Sequence, residues 1–234
     1  STCEKLYVVQ ECKNLSKQTS YKNISNSEVI KNYFINVNQA QNKIFGSKDI
    51  NLNPQNIIKF KISHGELNNL PFSKLENFLK SDLYIVFGSS YIKNNLIKFL
   101  IKNKAINVHA GISPFYRGTD CNFWALYDGN PHLVGSTVHL LSEGLDNGPI
   151  IYHAMSNIRT NPYEYTMSTV KAAFHSICEK IKDKTIFEFN SVPQDKNKEI
   201  RYSKKNEFNE KIVKKYLEKE IDLNNVNFDN SLLI

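Results

Sequence analysis

Nothing in this 234-residue chain is apolar for long enough to cross a bilayer. The densest apolar run, Leu83–Phe87, is strand-sized, against the ~20 residues a helical span needs. No basic–apolar–cleavage pattern opens the chain, so nothing points to secretion. Cysteine is scarce: Cys3, Cys12, Cys121 and Cys178 are widely spaced, and the absence of a Cys-x-x-Cys pair leaves a zinc knuckle unsupported. The expected compartment is reducing and cytoplasmic. Four of the six histidines, at 109, 132, 139 and 153, are set with Asp146 as candidate ligands, but no His-Glu-x-x-His or His-x-His pair is formed, so a metal-dependent hydrolase lacks its ligand spacing and no metal is expected. Within that set, His139 reads as a satisfied strand residue and His132, after Pro131, as part of an exposed turn. Internal repeats and low-complexity linkers are missing too. The net charge is +7. Its lysines are scattered among asparagines and isoleucines and form no aromatic–basic RNA motif, which makes nucleic acid an unlikely partner.

What is present is ordinary globular composition, 41% hydrophobic and 23% charged, in a chain long enough for one sizeable core. Residues 5–10 read as a short strand. Ser27 caps a helix whose Val29, Ile30, Tyr33, Phe34 and Val37 share a face, with Gly46 as its stop. Residues 52–64 read as irregular to strand-like, and 72–80 as a short helix. Leu83–Phe87 is a continuous apolar run of the kind that parallel strands buried on both faces show. A helix over 93–102 and a strand over 105–109 follow. This strand–helix–strand order predicts an α/β fold: a Rossmann-like, mostly parallel sheet with helices on both faces. Ligand sites in such sheets lie at the carboxyl ends of the strands, where Gly88 and His109 both fall. Further on, 111–119 reads as a loop, Asp120 as the cap of a helix to Asp128 stopped by Gly129, and 135–141 and 150–153 as strands. Pro162 opens a long helix with Thr166, Val170, Ala173, Phe174, Ile177 and Ile181 on one face. The reading divides the chain into a catalytic domain, 1–190, and a C-terminal extension, 191–234, with one helix over 207–220.

Asn107 and His109 stand two apart on a strand, so both side chains leave the same face. Asp146 lies in a turn-rich loop after a later strand and is placed to converge on them. Each has a plainer reading alone: a hydrogen-bonded strand-end pair, a turn aspartate. Cys121 reads as a small buried residue rather than a nucleophile, and Trp124 as core.

The combination carries more. Asn107-Val108-His109, then Ala110 to Pro114, then Tyr116-Arg117-Gly118, closely resembles the signature of the folate-dependent formyltransferases. Residues 135–139 and 143–151, with Glu143-Gly144-Leu145-Asp146-Asn147-Gly148, are similar to that family's Asp-bearing loop, and Asn122 to Leu126 with Gly129 to its intervening helix. The likeness is specific over about 83–152; after Asn190 only Gln194 and Tyr202 match the family's ending. The resemblance implies an N-formyltransferase that uses 10-formyltetrahydrofolate as co-substrate. It implies His109 as base or electrophilic donor, Asn107 as oxyanion holder, and Asp146 as the residue that orients His109 and relays the proton. A pterin pocket is implied between Phe87, Gly88, Ser89 and Ser90 on one side and Ser142, Glu143, Gly144, Leu145 and Asp146 on the other. Tyr116, Arg117 and Gly118 would bind the acceptor, or Arg117 would brace its loop. Two departures stand out. The family's opening strand–helix unit has no counterpart here, and Ile112-Ser113 replace its usual leucines. Among family acceptors the favoured one is the amino group of a nucleotide-linked sugar, whose phosphates suit the mild positive charge; methionyl-tRNA, glycinamide ribonucleotide, or a non-catalytic folate- or nucleotide-binding role are the alternatives. A homodimer is a further possibility that the resemblance leaves open.

Overall fold

A computed structural model of the chain describes residues 3–12, 27–46, 54–228, 231, 233 and 234. Two of the residues read as irregular to strand-like, 52 and 53, lie outside them.

The chain opens with strand β1 (Leu6–Cys12) and helix α1 (Glu28–Phe45), capped as expected by Ser27, whose hydroxyl accepts from Ile30 N. Strand β2 (Ile57–Ser63) runs parallel to β1 over its whole length. The helix expected at 72–80 is shorter: one turn, α2 (Phe72–Leu75), then a 3-10 turn. Next come β3 (Ile85–Phe87), α3 (Asn94–Lys102) and β4 (Ile106–His109), with β3 and β4 parallel as the strand–helix–strand order requires. The three-residue strand β5 (Tyr116–Gly118) falls where a loop is expected, followed by α4 (Cys121–Tyr127). Asp120 precedes α4, but its backbone is left-handed (φ 56°) and its side chain makes no capping bond, so the expected cap is not formed. Strands β6 (Ser136–Leu140) and β7 (Ile150–Ala154) run antiparallel to each other, and β6 runs antiparallel to β4. Helix α5 (Pro162–Lys182) starts at Pro162 and is capped by Asn161, which accepts from Tyr163 N and Glu164 N. Strand β8 (Arg201–Ser203) and helix α6 (Glu210–Glu218) complete the order.

The fold is mixed α/β with three ladders: β1-β2, β3-β4-β6-β7 and β5-β8. The parallel pairs are β1-β2, β3-β4 and β5-β8; the return of β6 and β7 is antiparallel. Alternation along β4 sorts its side chains. Ile106 and Val108 enter a core with Val138, Ile151, Ala154 and, from α5, Ala173 and Ile177, while Asn107 and His109 leave on the other face. A second core gathers around Trp124, Phe123 and Tyr116 and takes Tyr216 and Leu223 from the last forty residues. The segment after Asn190 is thus woven into the body, by β8 against β5 and α6 against α1 and the Trp124 core.

β3 departs from the buried strand expected at Leu83–Phe87. Ile85 and Phe87 are 40% and 48% exposed. The reason is topological: among the described residues β3 is an edge, paired only with β4. An apolar cavity of about 170 Å3 separates it from β1, with Tyr7 and Val9 on one wall and Tyr84 and Val86 on the other.

Candidate active site

Asn107 and His109 meet the loop that follows β6 because β4 and β6 are neighbours. In their antiparallel register Asn107 lies opposite His139 and His109 opposite Thr137, so all four side chains share one face. A register shift between Val138 and His139 in the β6-β7 pairing breaks the ladder at this point, a common device beside active sites. After β6 the chain turns back through Gly148, whose position leaves no room for a Cβ against the Leu140 carbonyl. Asp146 takes a left-handed backbone (φ 48°), unusual for a residue with a side chain, which aims its carboxylate at β4.

The result is a compact polar cluster. Asn107 Nδ2 donates to Asp146 Oδ1 at 3.2 Å and lies 3.0 Å from His139 Nε2. Asp146 Oδ2 is 3.4 Å from His109 Nδ1, and the other ring nitrogen of His109 lies 3.1 Å from the Tyr116 carbonyl oxygen. A carbonyl only accepts, so His109 Nε2 bears a proton. His139 Nδ1 sits 2.8 Å from the Leu140 carbonyl and by the same logic bears its proton there, which leaves Nε2 to accept from Asn107. His139 is fully enclosed, and burial pulls its pKa down to about 4; the nearby His109 acts in the same direction. It is therefore a neutral acceptor that fixes the Asn107 amide. Read from the sequence as a plain strand residue, His139 belongs to this cluster. The signal that would have found it is the cross-strand register, which the sequence does not display.

The cluster lies on a cavity of about 490 Å3, inside the ~300–1,000 Å3 range of small-molecule sites. Asn107, His109, His139 and Asp146 line it, as do Phe87, Gly88, Ser89 and Ser90 from the end of β3 and Ser142, Gly144 and Leu145 from the opposite loop. Glu143 is not on the lining; its carbonyl takes the Tyr91 hydroxyl, tying the two loops together. The far wall is aromatic, with Tyr33 and Phe34 of α1, Phe123, Tyr163 and Tyr216. Tyr33 stands edge-on to Phe34, Phe123, Tyr163 and Tyr216 with ring centroids 5.4–5.8 Å apart.

Of the three residues expected to bind an acceptor, only Gly118 reaches this cavity. The Tyr116 side chain is fully buried, with its hydroxyl 3.3 Å from Asp128 Oδ2 and accepting from Asn130 Nδ2 at 2.7 Å. The Arg117 side chain, also buried, turns to the Asp146 loop: Nη2 donates to the Leu145 carbonyl (2.9 Å), Nε to the Asp146 carbonyl (3.3 Å), and Nη1 pairs with Glu199 (2.8 Å). The Tyr202 ring lies 5.4 Å from its guanidinium. Gln194 Nε2 donates to the Asp146 and Gly148 carbonyls at 2.9 and 2.8 Å. Of the two late residues singled out in the sequence, Gln194 grips the Asp146 loop directly, and Tyr202 packs against the arginine that does. Cys121 is buried, and burial pushes its thiol pKa far up, with the Asp146 carboxylate adding to the shift, so it is no nucleophile.

Residues 73–186 match the family model described as formyl transferase. The methionyl-tRNA formyltransferase of Prochlorococcus marinus is 25% identical over 148 residues, 63% of this chain and 43% of that protein. That of Thermodesulfovibrio yellowstonii is 33% identical over 101 residues, 41% of this chain and 32% of its own length. The chain thus spans less than half the length of these curated relatives. A 4-N formyltransferase from Francisella tularensis shares the fold, with a TM-score of 0.51 at 18% identity over 88% of this chain and 78% of that one. No helix among the described residues is long and apolar enough to cross a membrane. The match over residues 73–186, the stretch that carries Asn107, His109 and Asp146, makes that part of the chain similar to the formyl transferase family.

Proposed function

We propose that this protein transfers a formyl group from 10-formyltetrahydrofolate to a primary amine, and that the amine belongs to a nucleotide-linked sugar. The observation that carries the reaction class is the meeting of an amide, an imidazole and a carboxylate, Asn107, His109 and Asp146, on one cavity. Folate fits that cavity: apolar side chains of Val86, Phe87, Ile97 and Leu141 flank the backbone of Gly88–Ser90, the mixture a flat heterocycle with polar edges needs. When bound, 10-formyltetrahydrofolate would supply the formyl carbon: the acceptor nitrogen would bond to it, the carbonyl electrons resting on its oxygen, before the carbon–nitrogen bond to the folate breaks and the acceptor's proton passes to the leaving nitrogen.

The chain's own residues divide the remaining work. His109 takes the proton from the attacking nitrogen, and Asp146 stabilises the charged ring that results. Asn107 holds the oxyanion. Its two amide protons point to His139 and Asp146 in the present structure, and the longer bond, to Asp146, is the one it exchanges for the oxyanion. His139 keeps the amide oriented meanwhile.

The aromatic wall supports the sugar reading. Tyr33, Tyr163 and Tyr216 line the same cavity as the proton-handling group and offer a nucleobase ring faces and edges to pack on. The methionyl-tRNA reading is favoured instead by the curated relatives, which are methionyl-tRNA formyltransferases. One assay separates them. The protein is incubated with 10-formyltetrahydrofolate and, in parallel, nucleotide-linked amino sugars, methionyl-tRNA and glycinamide ribonucleotide, and products are read by mass spectrometry with His109→Ala as control. A formylated sugar that disappears in the variant is the expected result. Formylation of the tRNA alone would replace the sugar reading, and near-wild-type turnover by His109→Ala would remove His109 from the mechanism.

A further inference from the structure

The loop that closes one side of the cavity, Gly88–Lys93, starts from an edge strand of three residues and has little ladder to hold it. It is fixed from the neighbouring ladder instead. Glu11, near the end of β1, reaches across: its Oε2 accepts from Ser90 N at 2.7 Å, and its Oε1 from Ser90 Oγ at 2.6 Å and Gly65 N at 3.1 Å. His64 Nδ1 stands 3.5 Å from the same carboxylate. The side chain is 8% exposed, and its hydrogen bonds from Ser90 and Gly65 hold its pKa below the ordinary carboxylate value against the opposing effect of burial. Asn68 adds to the hold: it donates to the Tyr91 carbonyl and accepts from Lys93 N.

The geometry points to Glu11 as a positioning residue of the folate pocket. It occupies Ser90's own polar groups, so that the loop presents the backbone of Gly88 and Ser89 to the pterin in one fixed arrangement. This rests on the reading of the cavity as a folate site. Three alignments make the assignment more than a surface contact. The carboxylate is buried. Both its oxygens are spent on the loop and on the turn beside it. And it joins two ladders, β1-β2 and β3-β4, that share no strand hydrogen bonds among the described residues. Bonds from a carboxylate to backbone and hydroxyl donors are the strong, shape-setting kind.

The test is Glu11→Gln, Ser90→Ala and the double variant, with tetrahydrofolate binding measured by calorimetry and transfer kinetics measured beside it. Gln keeps one acceptor but places a donor against Ser90, so the loop loses its fixed form. The expected result is a roughly tenfold weaker tetrahydrofolate affinity and a raised KM for the formyl donor in each single variant. The double variant loses no more than Glu11→Gln alone, because the one bond that Ser90→Ala removes is among those that Glu11→Gln breaks. In Glu11→Gln the kcat at saturating donor stays close to wild type while the KM for the donor rises. Amide hydrogen exchange at Ser89 and Ser90 is faster in Glu11→Gln without any ligand, which reads the clamp independently of folate. Affinity within twofold of wild type in Glu11→Gln, or losses that add in the double variant, would overturn the assignment. If wild-type protein binds no tetrahydrofolate, the folate reading fails instead, and unchanged exchange at Ser89 and Ser90 would then dispose of the clamp as well.

Discussion

A neutral histidine buried beside a carboxylate and a second imidazole should make the protein lose stability in mild acid, by an amount His139 largely sets. Its pKa in the folded protein is about 4, against ~6.5 in an unfolded chain. Between those values the unfolded chain takes up a proton that the folded one refuses. Stability from this residue is therefore fully present above pH 6.5, falls as the pH drops toward 4, and changes no further below that. At ~1.4 kcal/mol for each pH unit of difference, the loss is on the order of 3 kcal/mol, a large share of what holds a domain together. The perturbation that isolates it is His139→Gln, which keeps one donor and one acceptor and never titrates. Urea unfolding of both proteins at pH 7.5, 6.5, 5.5 and 4.5 gives the unfolding free energy of each. His153, also held low by burial, and the hydrogen-bonded carboxylates act equally in both, so the difference between the two curves reports residue 139. It should shrink by nearly 3 kcal/mol from pH 7.5 to 4.5. Parallel curves, with the variant losing as much as the wild type, would refute the argument that His139 is neutral and that Asn107 donates to it.

Gly111→Ala should cripple turnover without touching a catalytic side chain. A Cβ there would lie 2.7 Å from His109 Nε2 and closer still to Cys121, displacing the ring from the Tyr116 carbonyl. A kcat lowered about a hundredfold and an unfolding free energy lowered by ~1–3 kcal/mol are expected from transfer kinetics and thermal melting, and wild-type kcat would show that the ring position is not critical. Arg117→Lys keeps the charge facing Glu199 but gives up the fork to the Leu145 and Asp146 carbonyls; kcat should fall about tenfold with the KM for the acceptor little changed, whereas a rise in that KM alone would return Arg117 to the acceptor.

How much of this was legible in the sequence depended on whether a residue acts through its side-chain identity over a short spacing. Asn107 and His109 were readable because a strand of period 2 puts them on one face whatever its neighbours are. The long helix was readable because Pro162 and a run of apolar residues at helical spacing define it locally. His139 was not, because its role follows from lying opposite Asn107, and neither the antiparallel direction of β6 nor its register is written in residues 136–140. β5 was read as a loop, since three residues carry no periodicity and the partner β8 lies far along the chain. Asp120 has the right type and place for a cap, yet the left-handed backbone turns its side chain away from the helix it precedes. The least legible residues are those that hold the site by gripping backbone. Arg117 and Gln194 bind carbonyls of the Asp146 loop, and Glu11 binds Ser90 N. A carbonyl or an amide belongs to every residue, so such partners leave no compositional trace at the far end of the bond. It follows that transplanting Asn107, His109 and Asp146 onto a similar sheet would reproduce the part of the site that the sequence displays. The part that fixes Asp146 in its left-handed turn, and Gly88–Ser90 in register with it, would have to be carried over separately.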